Sequence, residues 1–380
     1  MLTPRTTLTR RISAAIDAHP SRIPVLLGGC GSGRTTLLMQ LRDRIGQSHS
    51  QYIDVERTAT TPERFLLAIA NTSSFATPTS AAGARAAFDA VLEFLTKTRG
   101  PGQQPITFLL DEFLELRTFE SFPGLRRVLL DFIDGLTESG NRFVLSSRYT
   151  ARALRVLRDR TARFEIIHVP ALTVEDTFDL LDLPTGGDAE FTARTVHALA
   201  DGRPGYVQAL AAELRHMREI GTPGGDDAVS ALAAQMAVGG RLAHLCNFCY
   251  ELRLHRARGY GALKAILDIL ADEEGLTLTE ISVRLQRTPG STKDYLSWLE
   301  DVDLVVSKQK RYSFADPLLR VWVRLHCRPT PPTDDDLARE VHRYALPRLP
   351  QQTEPALVMA SAGPAPVEEE RRGWGIIEID

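Results

Sequence analysis

Residues 28–36 read Gly28-Gly29-Cys30-Gly31-Ser32-Gly33-Arg34-Thr35-Thr36, "GGCGSGRTT". A phosphate-binding loop needs a glycine, four residues, a second glycine, a cation and a hydroxyl residue; Gly28, Gly33, Arg34 and Thr35 fill those places. Its glycines let backbone N–H groups converge on phosphate oxygens where the next helix begins. The flanks agree. "IPVLLGG" is a short apolar run entering the loop, and "RTTLLMQLRDRIG" has helical spacing with Gly46 at its end. Strand, glycine loop and helix together distinguish a nucleotide site from a chance run of glycines. Gly28, Gly29, Gly31, Ser32, Gly33, Arg34, Thr35 and Thr36 are the expected phosphate cradle, with the Thr35 hydroxyl on Mg2+.

The other half of such a site is an acid at the end of a neighbouring buried strand. "PITFLLDEF" supplies it. Asp111 is expected to hold Mg2+ largely through water, and Glu112 to orient and deprotonate the attacking water. "RFVLSSRY" is another buried strand, whose tip offers Ser146, Ser147 and Arg148 to sense the γ-phosphate; an ordinary strand end with a helix cap explains the same residues. With "SQYIDVE" and "EIIHVPAL", and helical patterns between, these strands predict a parallel α/β sheet covered on both faces.

After about residue 170 the strand signal stops and helical segments run to Tyr250. "ALKAILDILADEEG", "TLTEISVRLQ" and "PGSTKDYLSWLEDVD" then read as three helices, with Thr277 or Thr279 near a cap. "LVVSKQKRYSFAD" reads as two short strands around a polar turn, completing a winged helix-turn-helix. The predicted domains are a nucleotide-binding core (1–170), a helical lid (171–250), a winged helix (251–328), and a Pro/Asp-rich linker, short helix and largely disordered tail (329–380).

Composition sets wide bounds. The chain has 380 residues, 43% hydrophobic and 24% charged, with a formal net charge of −3. That balance announces neither a nucleic-acid nor a membrane partner. No apolar run approaches a membrane span, and the N-terminus lacks a signal-peptide core, so a cytoplasmic protein is expected. Only five of the 45 basic residues are lysine. Four cysteines in so long a chain do not make a disulfide framework. In "HLCNFCYELRLH", Cys246 and Cys249 read as core residues of a helix rather than, with His244 and His255, as a zinc site.

The order of glycine loop, "LLDEF", "VLSSR", "RDRTARFEIIHVPALTVED", "GRP" and a winged helix resembles the AAA+/STAND branch of P-loop ATPases. It looks closest to the archaeal-type ATPase family, through "YSFADPLLRVWVRLH". The resemblance spans about residues 8–328. It implies an ATP-binding core with Mg2+, a helical lid, and a winged helix that packs on the core as a relay. It also implies that Gly202 and Pro204 match the lid motif lying against nucleotide, and that Arg160 and Arg163 match the region of an arginine finger. Such a finger needs a protein partner or a second copy; a solvated basic helix face is the alternative. The absence of an Asn-Lys-x-Asp motif, together with the resemblance, favours adenine.

Arg34 departs from the pattern, which has lysine there. Lysine is a compact point charge, whereas arginine is longer, planar and differently directed. Binding through backbone amides survives such a change better than hydrolysis, which depends on where the charge sits. The expected function is a nucleotide-dependent switch with slow turnover. The rivals are an ATP-regulated DNA-binding protein and a non-hydrolysing scaffold. For DNA, Ser291, Thr292, Lys293 and Tyr295 on the recognition helix and Lys308, Lys310 and Arg311 on the wing are the candidate contacts. The 251–328 block has 13 basic and 11 acidic residues, so its charge hardly favours nucleic acid.

Overall fold

The structure, a computed structural model, describes residues 5–158, 163–182, 187–221, 227–254 and 259–350. Met1–Leu349 form one compact unit. Five strands make the first sheet: β1 (Ile23–Leu27), β2 (Ser50–Asp54), β3 (Thr107–Asp111), β4 (Arg142–Ser147) and β5 (Phe164–His168). Their order is β2-β3-β4-β1-β5, all parallel. Strand β4 therefore stands between the strand that feeds the glycine loop and the strand that ends in Asp111.

Alternation along each strand sends successive side chains to opposite faces. Leu26, Leu109, Val144 and Ile167 face one way, against Leu37, Leu38 and Leu41 of the helix Arg34–Ile45 and Ile12 and Ile16 of the helix Thr6–Asp17. Val25, Leu27, Phe108, Leu110, Phe143 and Leu145 face the other, toward the helices Ala84–Lys97 and Val128–Glu138. The sheet is thus covered on both faces, as its near-continuous apolar strands require. The helix Thr6–Asp17 is absent from the sequence reading. Its apolar residues are sparse, and it is their landing on the sheet that makes it part of the core.

Val174–Leu181, Gly187–Ala200, Pro204–Glu219, Ala228–Met236 and Arg241–Leu254 are helices. The winged helix follows as Tyr260–Asp272, Leu278–Leu285 and Pro289–Asp301, with β6 (Leu276–Thr277), β7 (Val305–Lys308) and β8 (Arg311–Phe314) in the antiparallel order β6-β8-β7. Thr277, not Thr279, caps its second helix through a capping box with Glu280. Gln309 and Lys310, both at positive φ, turn β7 into β8 in the two-residue hairpin that strand twist favours.

The short helix expected after residue 329 belongs to the fold rather than to a linker. Asp334–Ala345 is a helix that packs on the fold: Arg324 Nε donates to Glu340 Oε2 at 2.7 Å, and the Tyr344 hydroxyl donates to the Leu199 carbonyl at 2.8 Å. Leu337, Val341, Tyr344 and Ala345 form its buried stripe, which Pro/Asp-rich flanks obscure in the sequence. The expected disordered tail, 351–380, lies outside the described residues. Among the described residues no helix is long and apolar enough to cross a membrane.

Candidate functional site

Parallel strands bring their C-terminal ends to one edge, where ligands of open α/β sheets bind. Leu27 is level with Ser147, and Leu110 with Leu145, so the glycine loop, the Ser146–Arg148 turn and the Asp111–Glu112 pair meet at that edge. Gly31 and Gly33 both take positive φ, which a side chain would resist. A Cβ at Gly28 would stand 2.8 Å from Ser32 Oγ. The loop closes tightly only because these positions lack side chains.

Thr35 Oγ1 donates to Asp111 Oδ2 at 2.6 Å. The same oxygen accepts from the Tyr52 hydroxyl at 3.0 Å, and Ser146 Oγ donates to the other oxygen, Oδ1. A hydroxyl and a carboxylate converging at the loop's end, oxygen donors only, suit a hard divalent cation such as Mg2+. Burial, with Asp111 beside it, pushes the Tyr52 hydroxyl pKa up, so Tyr52 stays a neutral donor.

Arg34 does not point into open space. Its Nη1 donates to the Gly28 carbonyl, to the Gly29 carbonyl at 2.7 Å and to Ser32 Oγ at 3.0 Å. Its Nη2 donates to Glu112 Oε1 at 2.5 Å, and both side chains are buried. Glu112 also accepts from the Arg148 backbone N–H at 2.9 Å, and the Arg148 Nε stands 3.2 Å from Oε1. Burial pushes the Glu112 carboxyl up, but the Arg34 and Arg148 guanidiniums outweigh it and hold it below the usual carboxylate range. Glu112 itself sits in the left-handed region at φ 56°, a strained place for a non-glycine residue.

The three candidate sensors thus have distinct surroundings. Ser146 serves Asp111 and accepts from the Glu112 amide at 3.2 Å. Ser147 Oγ accepts from the Tyr149 amide at 3.0 Å, a local turn contact. Arg148 bridges Glu112 and Glu56. That Arg34 and Arg148 both hold Glu112 is invisible in sequence, because they stand 78 and 36 positions from it along the chain.

The lid closes the other side. Gly205 N–H donates to the Gly31 carbonyl at 2.9 Å, and the Pro204 ring stands over Gly33. Between them and the loop lies a cavity of 240 Å³ lined also by Arg5, Leu172, Leu180 and Gln208. Sequence reading missed these four; their one signal is position, flanking the "TVEDTFDLL" and "GRPGYVQ" segments. Gly202, at positive φ, packs within 2.9 Å of Leu172 O if given a Cβ, so only glycine fits this lid turn. Arg203 pairs with Asp316, whose carboxylate also accepts from the Tyr206 hydroxyl at 2.7 Å and caps the helix Pro317–His326.

Other candidates lie elsewhere. The Arg163 carbonyl accepts from Ile23 N–H at the start of β1, the end of the sheet opposite the glycine loop and about 16 Å from it along five residues. It does not reach the loop of its own chain. Arg160 lies outside the described residues. On the winged helix, Thr292 is wholly buried and its hydroxyl donates to the Thr288 carbonyl, so it is no DNA contact. Tyr295 lies half-buried against Arg287, and Ser291 is half-buried at the helix start. Lys293, Lys308, Lys310 and Arg311 are exposed, Arg311 donating to the Gly275 carbonyl at 2.6 Å.

The far end of the recognition helix is spent on the core. Asp303 Oδ2 accepts from the Thr150 backbone N–H and Oδ1 from that of Ala151 at 3.5 Å, capping the helix Thr150–Leu157 that follows Arg148. Arg155 donates to Asp301 at 2.8 Å beside it. The Asp303 carbonyl accepts from Arg253 Nη1 at 2.8 Å. Cysteine pairing also departs from expectation: Cys30 of the glycine loop is disulfide-bonded to Cys249, leaving Cys246 and Cys327 free. A link across 219 residues carries no spacing signal. Among the described residues no group of three or more His, Cys, Asp or Glu side chains is placed to hold a metal; His255 lies outside them.

Known proteins share this fold. No protein-family model and no curated protein matches the chain. Among solved structures, the Walker-type ATPase PABY2304 of Pyrococcus abyssi superposes with a TM-score of 0.63 at 17% identity, covering 84% of this chain and 95% of that one. Orc1 of Aeropyrum pernix, solved with DNA, gives 0.47 at 16% identity, covering 90% and 93%. Cdc6p of Pyrobaculum aerophilum gives 0.42 at 14%, covering 92% and 96%. At 17% identity the likeness to the Pyrococcus protein is one of fold alone: the parallel five-stranded sheet with its surrounding helices is that of a P-loop ATPase core.

Proposed function

We propose that this chain binds ATP with Mg2+ at the glycine loop and works in the cytoplasm as a slow, nucleotide-dependent switch of the AAA+/STAND type. The observation that carries this reading is the meeting of Thr35 with Asp111 and of Arg34 with Glu112 at one sheet edge. Backbone N–H groups of residues 29–36 bind the phosphates, and the cavity beside Pro204 takes the base. Thr35 and Asp111 would hold Mg2+, which supplies charge neutralisation at the terminal phosphates.

Glu112 is the base that would take a proton from the attacking water. It cannot do so while both its oxygens serve Arg34 and Arg148. An incoming γ-phosphate competes for the Arg34 guanidinium, drawing it from Glu112 and freeing the carboxylate. Turnover is slow because that exchange breaks a buried ion pair before chemistry begins. The nucleotide state would pass to the winged helix through the Arg203–Asp316 pair and the Asp303 cap. Arg160 and Arg163 are left to act on a second copy of the chain.

The test is ATP binding with Mg2+ and single-turnover hydrolysis in the wild type, Arg34→Lys and Glu112→Gln. Binding by all three, with hydrolysis lost only in Glu112→Gln, supports the reading. No measurable binding in a folded wild-type sample rejects it in favour of a scaffold. A second reading, DNA binding, has the exposed Lys293, Lys308 and Lys310 in its favour. It requires affinity that falls steeply with salt and weakens when those three lysines are replaced.

A further inference from the structure

We infer that Cys30 and Cys249 form a reversible thiol–disulfide latch, oxidised by a hydroperoxide, that fastens the glycine loop to the helix Arg241–Leu254 and sets how fast nucleotide enters and leaves. The inference rests on the nucleotide reading above and adds a modification site to it.

The two cysteines stand 219 residues apart in sequence, yet their Cα atoms are 6.6 Å apart and the sulfurs are bonded. That separation lies within the range a disulfide spans without moving the backbone. Cys30 is the one thiol in the glycine loop, residues 28–36. Its neighbours on either side already touch the second half of the chain: a Cβ at Gly29 would meet Arg203, and one at Gly31 would meet Tyr206. Cys249 is buried on its helix, and Cys246, one turn earlier on the same helix, is left free, so the pairing is selective.

Arg253, one turn beyond Cys249, supplies the reactivity. It is 4% exposed, its Nη2 lies 3.8 Å from Cys30 Sγ, and its Nε has no hydrogen-bond partner among the described residues. Among those residues no carboxylate forms an ion pair with it. A buried guanidinium favours the thiolate of a cysteine beside it, and the thiolate is the nucleophile.

The chemistry balances with hydrogen peroxide as the hydroperoxide. The Cys30 thiolate attacks one peroxide oxygen; an S–O bond forms, the O–O bond breaks, and hydroxide leaves. The Cys249 thiolate attacks the resulting sulfenic acid; the S–S bond forms, the S–O bond breaks, and a second hydroxide leaves. The two thiol protons convert both hydroxides to water, so two thiols are oxidised and one peroxide is reduced. A dithiol reductant reverses the bond by exchange. While it stands, the loop cannot part from the helix that covers it. Nucleotide then exchanges only through fluctuations of a closed site.

The experiment uses the full chain, reduced with dithiothreitol or oxidised with hydrogen peroxide. Non-reducing peptide mapping reads the bond, and stopped flow reads release of a fluorescent ATP analogue with Mg2+. Expected are a Cys30–Cys249 peptide only after oxidation, and release slowed by about tenfold or more, restored by dithiothreitol. Cys249→Ala should keep the reduced wild-type rate; with peroxide its Cys30 stops at the sulfenic acid, trapped by dimedone, and release is not slowed. Cys249→Ser repeats the test should the alanine variant not fold. Absence of the linked peptide, or its formation with unchanged release, overturns the latch. Should neither state bind the analogue, hydrogen exchange decides. Slower exchange of residues 29–33 and 241–254 on oxidation supports the latch and rejects the nucleotide reading, whereas unchanged exchange overturns the latch.

Discussion

Arg34 Nη2 lies 2.5 Å from Glu112 Oε1, so the cation of the phosphate loop and the acid at the end of β3 neutralise each other in a buried pair. A lysine at position 34 has a single ammonium and no fork. It cannot hold two loop carbonyls, Ser32 and Glu112 in the way Arg34 does. Arg34→Lys should therefore release Glu112 and raise single-turnover hydrolysis by about tenfold or more, with ATP affinity little changed. An unchanged rate with intact binding would show that the pair does not limit turnover.

Glu112→Gln removes the proposed base and leaves its two arginines without their carboxylate. Hydrolysis should fall by about 10²-fold or more while binding with Mg2+ persists. Stripping one partner from a buried pair costs about 3–5 kcal/mol, so the variant should also unfold at lower denaturant near neutral pH. Comparable stability of the two proteins would mean that the pair is solvated in solution.

The same carboxylate fixes a pH dependence. In the folded chain Glu112 is held below its ordinary value of 4.5 by Arg34 and Arg148, against the upward push of burial. A depressed folded value means that the ionised form stabilises the fold above the unfolded value. That contribution is lost as pH falls through the folded one. Thermal unfolding of the wild type should shift downward as pH drops below about 4.5, and the Glu112→Gln curve should be flatter over that span. Parallel curves would assign the acid sensitivity to other carboxylates.

The sheet and the winged helix were legible because their signals are local. "IPVLLGG", "PITFLLDEF" and "RFVLSSRY" each carry an apolar run, and capping and turn residues such as Thr277, Gln309 and Lys310 lie beside the elements they end. The glycine loop and the acids at the end of β3 were legible for the same reason. The Arg34–Glu112–Arg148 cluster, the Cys30–Cys249 bond and the Arg203–Asp316 pair were not. Each joins residues whose proximity is created only by the sheet order and by how the lid folds back. Helix Asp334–Ala345 shows the converse: a clear amphipathic stripe read as peripheral because its flanks look like linker.

Asp303 tests whether the winged helix is mechanically tied to the core. It ends the recognition helix in the left-handed conformation at φ 53°, with its N–H to the Glu300 carbonyl and the Leu304 N–H to the Leu299 carbonyl. Glycine is the usual residue at such a stop, so the helix itself gives no reason for aspartate. The reason is on the other side, where the carboxylate caps Thr150 and Ala151. Burial pushes the Asp303 carboxyl up, against the pull of those amides and of Arg253. Asp303→Gly keeps the stop and removes the cap; Asp303→Asn keeps the stop and one acceptor oxygen. The glycine variant should lose about 0.5–2 kcal/mol and expose the Thr150 and Ala151 amides to faster hydrogen exchange, and asparagine should recover most of both. It should also uncouple nucleotide binding from exchange in 289–301 without changing ATP affinity. Protection of those two amides that survives in Asp303→Gly would mean that the winged helix rests on the core without depending on this cap.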